Sequence, residues 1–361
     1  MNVLLFGATG AVGRSCLDVL TRRPDTSLVI AGRDERSLHE VATAATGSGP
    51  GTVGVACLDL TDAAAVAAAV PGYDVVINCA GPSHRLSEVV AGVAIAAGVP
   101  YVDPGGDQAL LDRLTAAAPD VPVVLQAGVQ PGVSGLVLRM LAVHRTAEND
   151  GITVWCGGLQ HLTSASVLEY LAALGDPSSH PGAALRQGMI HRVGRSDSHP
   201  APARYFSESV TVHPHLDAET ISVAAHLSIA EVLWLNVLDG VRTTRAMQLL
   251  ALDDERRHTT DLDAVLAAGK LDLFGRRPYF AIVGSVGATT VAFRCPDSYR
   301  ITGAAAAFAA EHIAKLPAGV WPFWRVDEPH TVMNYLTSVV PEAEIACVED
   351  SVPPMIEEGS L

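Results

Sequence analysis

Short apolar runs divide the first third of the chain into regular segments. The runs cover residues 3–6, 27–31, 53–60, 74–80, 99–102 and 121–127. A continuous apolar run of this length is typical of a strand that is buried on both faces of a parallel sheet. Between the runs, apolar positions follow a helical period; Val12, Cys16 and Leu20 recur at every fourth position. The pattern predicts six strands alternating with helices, which is a doubly wound parallel sheet of an α/β protein.

The first run leads directly into the turn Gly-Ala-Thr-Gly-Ala-Val-Gly at residues 7–13, which opens into the first amphipathic helix. We expect Gly7 to permit the tight turn, Gly10 to let the main chain approach a pyrophosphate, and Gly13 to let the helix pack closely on its strand. Free N–H groups at the helix start would bind the phosphates. The spacing is G-x-x-G-x-x-G rather than the commoner G-x-G-x-x-G. Because strand, turn and helix follow in the required order, the motif predicts a dinucleotide site in a Rossmann domain.

The second strand ends in Gly32-Arg33, where an acidic residue would select NAD by binding the ribose 2′-hydroxyl. A guanidinium at this place can instead bind a 2′-phosphate with two hydrogen bonds. Asp34 follows; it is either the displaced acid of an NAD site or, more simply, the cap of a helix over residues 35–45. The sequence therefore predicts NADP(H) as the cofactor.

Later strand ends extend the predicted cofactor site. Asp59 can bond the adenine amino group or be a loop carboxylate, and we leave both readings open. The fourth strand ends in residues 78–82, at the point where strand order reverses and ligands bind in such sheets. The residues predicted to bind the cofactor are Gly7, Ala8, Thr9, Gly10, Ala11, Val12, Gly13, Gly32, Arg33, Asp59, Leu60, Asn78, Cys79, Ala80, Gly81 and Pro82.

Several segments of the chain together resemble one known family. They are the glycine turn, Ala-Gly-Arg at 31–33, Val-Val-Ile-Asn-Cys-Ala-Gly-Pro at 75–82, Gly-Val-Pro-Tyr-Val-Asp at 98–103 and Gly-Val-Gln-Pro-Gly-Val at 128–133. With these motifs the chain resembles the saccharopine reductase-like (saccharopine dehydrogenase-like) oxidoreductases. Cys-Gly-Gly-Leu at 156–159 and residues 297–303 are similar landmarks farther on. The resemblance implies NADP(H)-dependent hydride transfer to or from the C=N bond of an amino-acid-derived or cyclic imine.

The chain also departs from that family. Gln160-His161 stands where saccharopine reductases have a proline, and their Tyr-Lys-Phe-Ser-Trp-Ser-Pro stretch is missing, so we do not expect saccharopine as the substrate. The end of the fourth strand is equally similar to trans-acting enoyl reductases, which keeps C=C reduction open as an alternative. A non-catalytic NADP sensor is a further alternative, although a large second domain favours a closed substrate cavity.

Asp103 and His161 are the candidate catalytic residues, because they lie at a strand end beside the nicotinamide and at the opening of the second domain. The alternatives are a loop-capping carboxylate and a packed histidine. A protonated imine needs positioning more than a proton donor, and no Tyr-x-x-x-Lys pair follows the fourth strand as in short-chain ketone reductases. Imine reduction is therefore the preferred reaction. The arginines available for a substrate carboxylate are Arg192, Arg195, Arg204 and Arg300.

We expect three regions: a Rossmann domain at 1–130, an α+β substrate and dimerisation domain at 131–300, and a C-terminal segment at 301–361 that packs back on the first domain. Residues 176–199 are rich in Pro, Ser and Gly and predict a mobile loop. The apolar stretch at 224–237 is assigned to packing in a homodimer. The aromatic cluster at 321–324 is assigned to anchoring the C-terminal segment.

Composition narrows the class of partner. The 361-residue chain carries 24 Lys and Arg against 39 Asp and Glu, a formal net charge of −15, which argues against nucleic acid and anionic membranes and for a small-molecule substrate. Its six cysteines lack C-x-x-C spacing and suit reduced thiols in a cytoplasmic protein. No apolar run approaches 18 residues, so we expect neither a signal peptide nor a membrane span. The histidines show no metal-ligand spacing, and we expect no metal.

Overall fold

The computed structural model describes residues 1–46, 53–147, 150–194, 199–252 and 259–349. The first sheet has seven parallel strands in the order β15-β6-β5-β4-β1-β2-β3. These strands are β1 (Asn2–Phe6), β2 (Ser27–Gly32), β3 (Val53–Cys57), β4 (Val75–Asn78), β5 (Tyr101–Val102), β6 (Pro122–Leu125) and β15 (Gly319–Pro322). The six predicted strands and the doubly wound order are confirmed. Strand order reverses between β1 and β4.

Helices cover both faces of this sheet. They are α1 (Ala11–Leu20), α2 (Glu35–Thr46), α3 (Ala63–Ala69), α4 (Ser83–Ala96), α5 (Gln108–Ala117) and, from the C-terminal part, α11 (Ser298–His312). Val3 and Leu5 pack in one core with residues of α1, α2 and α11. Leu4 and Phe6 pack in the opposite core with residues of α3, α4 and α5. All four side chains are 0% exposed, which explains why this strand is a continuous apolar run.

The second domain is built on a mixed sheet of nine strands within the described residues. Its strands are β7 (Ile152–Leu159), β8 (His180–Pro181), β9 (Ala183–Arg186), β10 (Met189–Arg192), β11 (Thr211–Leu216), β12 (Val232–Leu238), β13 (Tyr279–Val286), β14 (Thr289–Cys295) and β16 (Glu344–Glu349). The central strands β12 and β7 are parallel, and β13, β14 and β16 follow antiparallel. This is the predicted α+β second domain.

The remaining helices connect or flank the two sheets. They are α6 (Val133–Ala142), α7 (Ser164–Gly175), α8 (Ala218–His226), α9 (Val241–Leu252), α10 (Thr259–Leu273) and α12 (Pro329–Val339). Helix α6 leaves the first sheet and packs on β13 and β14 of the second. Within the described residues no helix is long and apolar enough to cross a membrane.

Two segments of the second domain differ from their predictions. The predicted loop at 176–199 contains β8, β9 and β10 in its described part, and residues 195–198 lie outside it. Gly188, at a φ of 73°, lies in the hairpin turn between β9 and β10, and Gly182, at a φ of 74°, links β8 to β9. The stretch at 224–237 ends α8 and forms β12, whose residues Val232 to Val237 lie inside the second sheet. This segment is core of its own domain, so its assignment to dimer packing is wrong.

The C-terminal part of the chain returns to the first domain. Helix α11 packs on α1 so closely that a Cβ added to Gly303 would lie 2.5 Å from the Cys16 amide nitrogen. Strand β15 pairs with β6, and Phe323 and Trp324 just after it are 0% and 3% exposed. The aromatic cluster thus anchors the segment, and β15 adds a strand that was not predicted. Strand β16 then joins the second sheet beside β14, while residues 350–361 lie outside the described part.

Candidate functional site

Gly7 and Gly13 bring the glycine turn close to the first sheet. Gly7 has a φ of 76°, which favours glycine, and a Cβ on it would lie 2.5 Å from the Ala80 amide nitrogen at the end of β4. A Cβ on Gly13 would lie 2.2 Å from the Gly7 carbonyl oxygen. Both glycines therefore permit close backbone packing, as the motif predicts.

Gly10 has a different role from Gly7 and Gly13. It has extended backbone angles, φ −81° and ψ 169°, and precedes α1 without a side-chain cap. A Cβ on Gly10 would meet only the Gly7 carbonyl oxygen, at 3.4 Å. The first N–H groups of a helix lack acceptors within the helix and attract anions. Open space at an uncapped helix start is what a pyrophosphate requires, so this part of the chain fits a dinucleotide.

The end of β2 carries the groups predicted to meet the adenosine half of the cofactor. Arg33 is exposed. Asp34 accepts hydrogen bonds from the Ser37 amide (3.1 Å) and hydroxyl (2.8 Å), which makes it the cap of α2. Asp59 accepts both the amide and the hydroxyl of Thr61 at 2.9 Å, and these bonds, with a smaller contribution from the Arg33 charge, lower the pKa of Asp59. The contacts of Asp59 favour the loop-carboxylate reading.

The other predicted cofactor residues differ in accessibility. Thr9, Gly10, Ala11, Arg33, Asp59 and Gly81 are exposed; Gly7, Val12, Gly32, Cys79, Ala80 and Pro82 are half-buried; Ala8, Gly13, Leu60 and Asn78 are buried. Leu60 packs in the core of the first domain. The exposed and half-buried residues follow the carboxyl ends of β1, β2, β3 and β4, on either side of the strand-order reversal.

Asp103 is a buried carboxyl that joins the ends of β4 and β5. Its Oδ2 accepts hydrogen bonds from the Asn78 amide (3.0 Å) and the Tyr101 hydroxyl (2.5 Å), and its Oδ1 accepts the Gly105 N–H (2.8 Å). The residue is 2% exposed, and this burial raises the pKa of Asp103. With both oxygens occupied, Asp103 is suited to holding the strand ends in place rather than to meeting a substrate.

His161 lies apart from Asp103, beyond the end of β7. Its side chain is exposed, and its carbonyl oxygen accepts the Tyr299 hydroxyl at 2.8 Å. In the described part of the chain, no hydrogen bond joins its side chain to another predicted site residue. The structure therefore does not bring the two catalytic candidates together into one hydrogen-bonded unit.

Glu169, which the sequence did not single out, contacts the end of β4 from the second domain. Its carboxylate accepts the amide of Ser83, at the first turn of α4, and the Ser83 hydroxyl at 2.7 Å. A Cβ on Gly81 would lie 3.6 Å from the Ala165 side chain, so α7 lies beside the end of β4 that is predicted to bind the cofactor. Glu169 is the single charged residue of α7. A lone carboxylate in a mostly apolar helix was the feature of the sequence that could have identified it.

A second missed carboxyl, Glu219 of α8, binds the start of α6. It accepts the Gly132 N–H at 2.7 Å and the Ser134 hydroxyl, and it is 4% exposed. Burial, with a smaller contribution from the Asp217 charge, raises the pKa of Glu219 to about 8. Beside it the Cys156 thiol contacts the Gln130 amide oxygen at 3.1 Å. The segment that leads from β6 into α6 is therefore held from the second domain.

The candidate arginines take other positions. Arg300 binds Glu342 at 2.9 Å, Arg204 stacks over the Tyr205 ring, and Arg192 is exposed on β10. Arg195 lies outside the described residues. All six cysteines are free thiols, and no group of three His, Cys, Asp or Glu residues suited to a metal occurs in the described ranges.

Two surface cavities lie away from the strand ends. One of about 300 Å³ is bordered by Gln187 and Ala225, and one of about 670 Å³ runs along α2 beside Arg36. Neither includes a residue of the glycine turn. The candidate site is therefore identified by strand topology and by the uncapped helix start.

Comparison with known proteins places these features in context. Residues 3–155 match the family described as the saccharopine dehydrogenase NADP binding domain. The whole chain is similar in structure to an apo histidine-tagged saccharopine dehydrogenase (L-Glu forming) from Saccharomyces cerevisiae, with a TM-score of 0.66 at 16% identity over 96% of this chain and 99% of that one. At this identity the likeness shows the fold alone.

One curated relative also matches. It is a protein of Caenorhabditis elegans named "Lipid droplet localized protein", 28% identical over 119 residues. The match covers 31% of this chain and only 28% of that protein's length.

Proposed function

We propose that this protein is an oxidoreductase acting on carbon–nitrogen double bonds. Residues 3–155 match the saccharopine dehydrogenase NADP binding domain and bind NADP(H), which supports the cofactor half of the proposal. In this proposal it transfers hydride between NADP(H) and a small amino-acid-derived or cyclic imine. The substrate lies between the strand ends of the first domain and helix α7 of the second.

The cofactor-binding residues follow from the geometry of the strand ends. The uncapped start of α1 and the open space at Gly10 suit the pyrophosphate, and the exposed Arg33 suits the 2′-phosphate. Residues 79–82 lie along the nicotinamide. Bound NADPH supplies the hydride, and the chain supplies orientation and exclusion of water.

The observation that carries the choice of an imine is the environment of Asp103. It is the one acid that the sequence predicts at the nicotinamide end, and both of its oxygens are occupied at 2% exposure. Glu169, the carboxylate that α7 adds there, has both of its oxygens engaged by Ser83. A ketone or an enoyl group needs a proton donor as hydride arrives, whereas an imine that binds protonated already carries its proton. We therefore assign Asp103 a positioning role: it holds Asn78 and the ends of β4 and β5 where the nicotinamide would bind.

Enoyl reduction is the second candidate, and the exposed His161 favours it. A side chain near the start of α7 can reach solvent protons and could protonate the carbon left anionic by hydride addition. The two reactions make different demands on this residue. His161→Ala is expected to leave imine turnover nearly unchanged and to reduce enoyl turnover by about 100-fold, the typical contribution of a general acid.

The test is NADPH oxidation, followed by absorbance, against parallel panels of cyclic imines, ketones and enoyl thioesters. We expect turnover with the imines, and we expect His161→Ala to leave the kcat for imines nearly unchanged. Turnover confined to enoyl thioesters would reject imine reduction and favour enoyl reduction. NADPH binding without turnover on any panel would favour the sensor alternative.

The remaining assignments belong to the same proposal. We assign 1–130 to cofactor binding, 131–300 to substrate binding and dimerisation, and 301–361 to closing the first domain. A cytoplasmic homodimer is expected; the six free thiols support a reducing compartment. Sedimentation velocity of the purified chain tests the dimer.

A further inference from the structure

Three apolar side chains are exposed together at one end of the α9–α10 helix pair. Val241 begins α9 and is 68% exposed; Leu271 lies in the last turn of α10 and is 61% exposed; Phe274 follows α10 and is 88% exposed. We refer to Val241, Leu271 and Phe274 as the α10 tip. An exposed phenylalanine in company with two aliphatic side chains is uncommon on a surface without a partner.

Hydrogen bonds fix the backbone of the α10 tip. Asp272 accepts the Thr243 amide (2.7 Å) and hydroxyl (2.8 Å) and the Arg242 guanidinium (3.3 Å), which ties the start of α9 to the end of α10. Arg276 donates to both oxygens of Asp239, at 2.8 and 2.7 Å, and Gly275, at φ 72°, ends the helix. The exposure of Phe274 is therefore a feature of the folded chain.

The surface around the α10 tip is basic. The exposed basic residues there are Arg242, Arg245, Lys270, Arg276 and Arg277. Asp239 and Asp272 are 4% and 6% exposed and are each paired with an arginine. Glu208 is the exposed acid at this surface, next to Ser207, and Arg245, Lys270 and Arg277 outnumber it. Positive charge thus faces solvent here, although the chain as a whole carries −15.

We propose that the α10 tip docks on a membrane surface that contains anionic lipids. Apolar side chains flanked by Lys and Arg are the pattern of interfacial membrane binding, in which rings enter the headgroup layer while cations meet lipid phosphates. The sequence predicts no anionic membrane partner because the net charge of the chain is negative. Salt screens the interactions of an exposed charge beyond about 10 Å, so the basic residues near the α10 tip determine its attraction to a membrane, not the net charge of the whole chain.

The observations favour a membrane over a protein partner. A stable protein interface buries about 800 Å² on each side, more than three side chains at a protruding helix end provide. A second copy in a two-fold contact would place the five basic residues against themselves. The docking surface is separate from the strand-end site, so this inference does not depend on the proposed reaction.

The experiment is co-sedimentation of the full chain with two kinds of vesicle, phosphatidylcholine alone and phosphatidylcholine mixed with phosphatidylglycerol. We expect binding to the mixed vesicles that weakens as NaCl is added. Phe274→Ser should lower the affinity by about tenfold or more, and Lys270→Glu with Arg277→Glu should lower it comparably. Leu249→Ser is the matched control, because Leu249 is 58% exposed on α9 but lies about 12 Å along the helix from Val241.

Three results would overturn the proposal. One is a wild-type chain that does not bind the mixed vesicles, and another is an equal loss for Leu249→Ser and Phe274→Ser. The third is concentration-dependent self-association, seen by sedimentation velocity, that Phe274→Ser abolishes, because it would make the α10 tip an interface between copies. Thermal unfolding, followed by circular dichroism, is measured for every variant to verify folding independently of the proposed reaction.

Discussion

At the residue scale, the glycines of the first turn have unequal roles. Gly10→Val places its side chain in open space beside the helix start, so we expect the protein to fold normally and to lose NADPH binding. Gly13→Val forces a Cβ to within 2.2 Å of the Gly7 carbonyl oxygen and should cost about 2 kcal/mol or more of stability. Thermal unfolding and NADPH fluorescence titration measure the two effects. If Gly10→Val kept the wild-type affinity for NADPH, the glycine turn would not be the site that binds the pyrophosphate.

Arg33 decides the predicted preference for NADPH. Arg33→Ala removes a charge-assisted contact to the 2′-phosphate, so NADPH affinity should fall by about 1–3 kcal/mol while NADH affinity stays nearly constant. Arg36→Ala is the matched control, since Arg36 is exposed three residues later and binds Glu40 at 3.0 Å. Calorimetric titration with both cofactors is the measurement. Equal losses for NADPH and NADH would contradict the assignment.

Residues that act through tertiary contacts were the hardest to predict. Glu169 and Glu219 each lie in a mostly apolar helix, and their meaning comes from Ser83 and Gly132, which are 86 and 87 residues away along the chain. Asp103 was singled out, but its three hydrogen-bond donors were not foreseeable from spacing. A local sequence pattern specifies which groups exist and not which partners they will find.

At the element scale, Glu219 makes the junction of α6 and α8 sensitive to pH. Its pKa is about 8 in the folded chain against 4.5 as the ordinary value. Between these values the unfolded chain has released a proton that the folded chain retains, so stability falls as pH rises from about 4.5 to about 8. The loss reaches roughly 5 kcal/mol at most.

The prediction is tested with Glu219→Gln, which keeps the shape and removes the titration. Urea unfolding at about pH 5 and about pH 9 should show the wild type losing more stability than the variant. The difference between the two proteins isolates this one carboxyl from the other titrating groups. Parallel pH dependences in the two proteins would exclude Glu219 as the source.

Elements were predictable where the pattern is local. Six strands of the first sheet follow from apolar runs and the glycine turn, because both faces of each strand are covered by neighbouring helices. Strand β15 was missed because Gly-Val-Trp-Pro has no strand-like period and pairs with β6 nearly 200 residues earlier. The hairpin of β9 and β10 was not predicted because the turn residue Gly188 was read as part of a loop.

At the scale of the whole molecule, contacts between the domains define the cleft. Glu169 of α7 reaches Ser83, and Glu219 of α8 reaches Gly132, so the second domain is fastened at two strand ends of the first. The chain also shows why net charge is a weak guide to a partner. A total of −15 coexists with a basic surface around the α10 tip, because two of the acids there, Asp239 and Asp272, are buried and paired with arginines.

The central claim is hydride transfer to a carbon–nitrogen double bond, and isotope transfer tests it most directly. NADPH with deuterium at the transferable position of the nicotinamide is incubated with the chain and a panel of cyclic imines, and the amines are analysed by mass spectrometry. The account predicts a single deuterium on the former imine carbon. Deuterium found only on the carbons of an enoyl thioester, or on no product although NADPH binds, would contradict it.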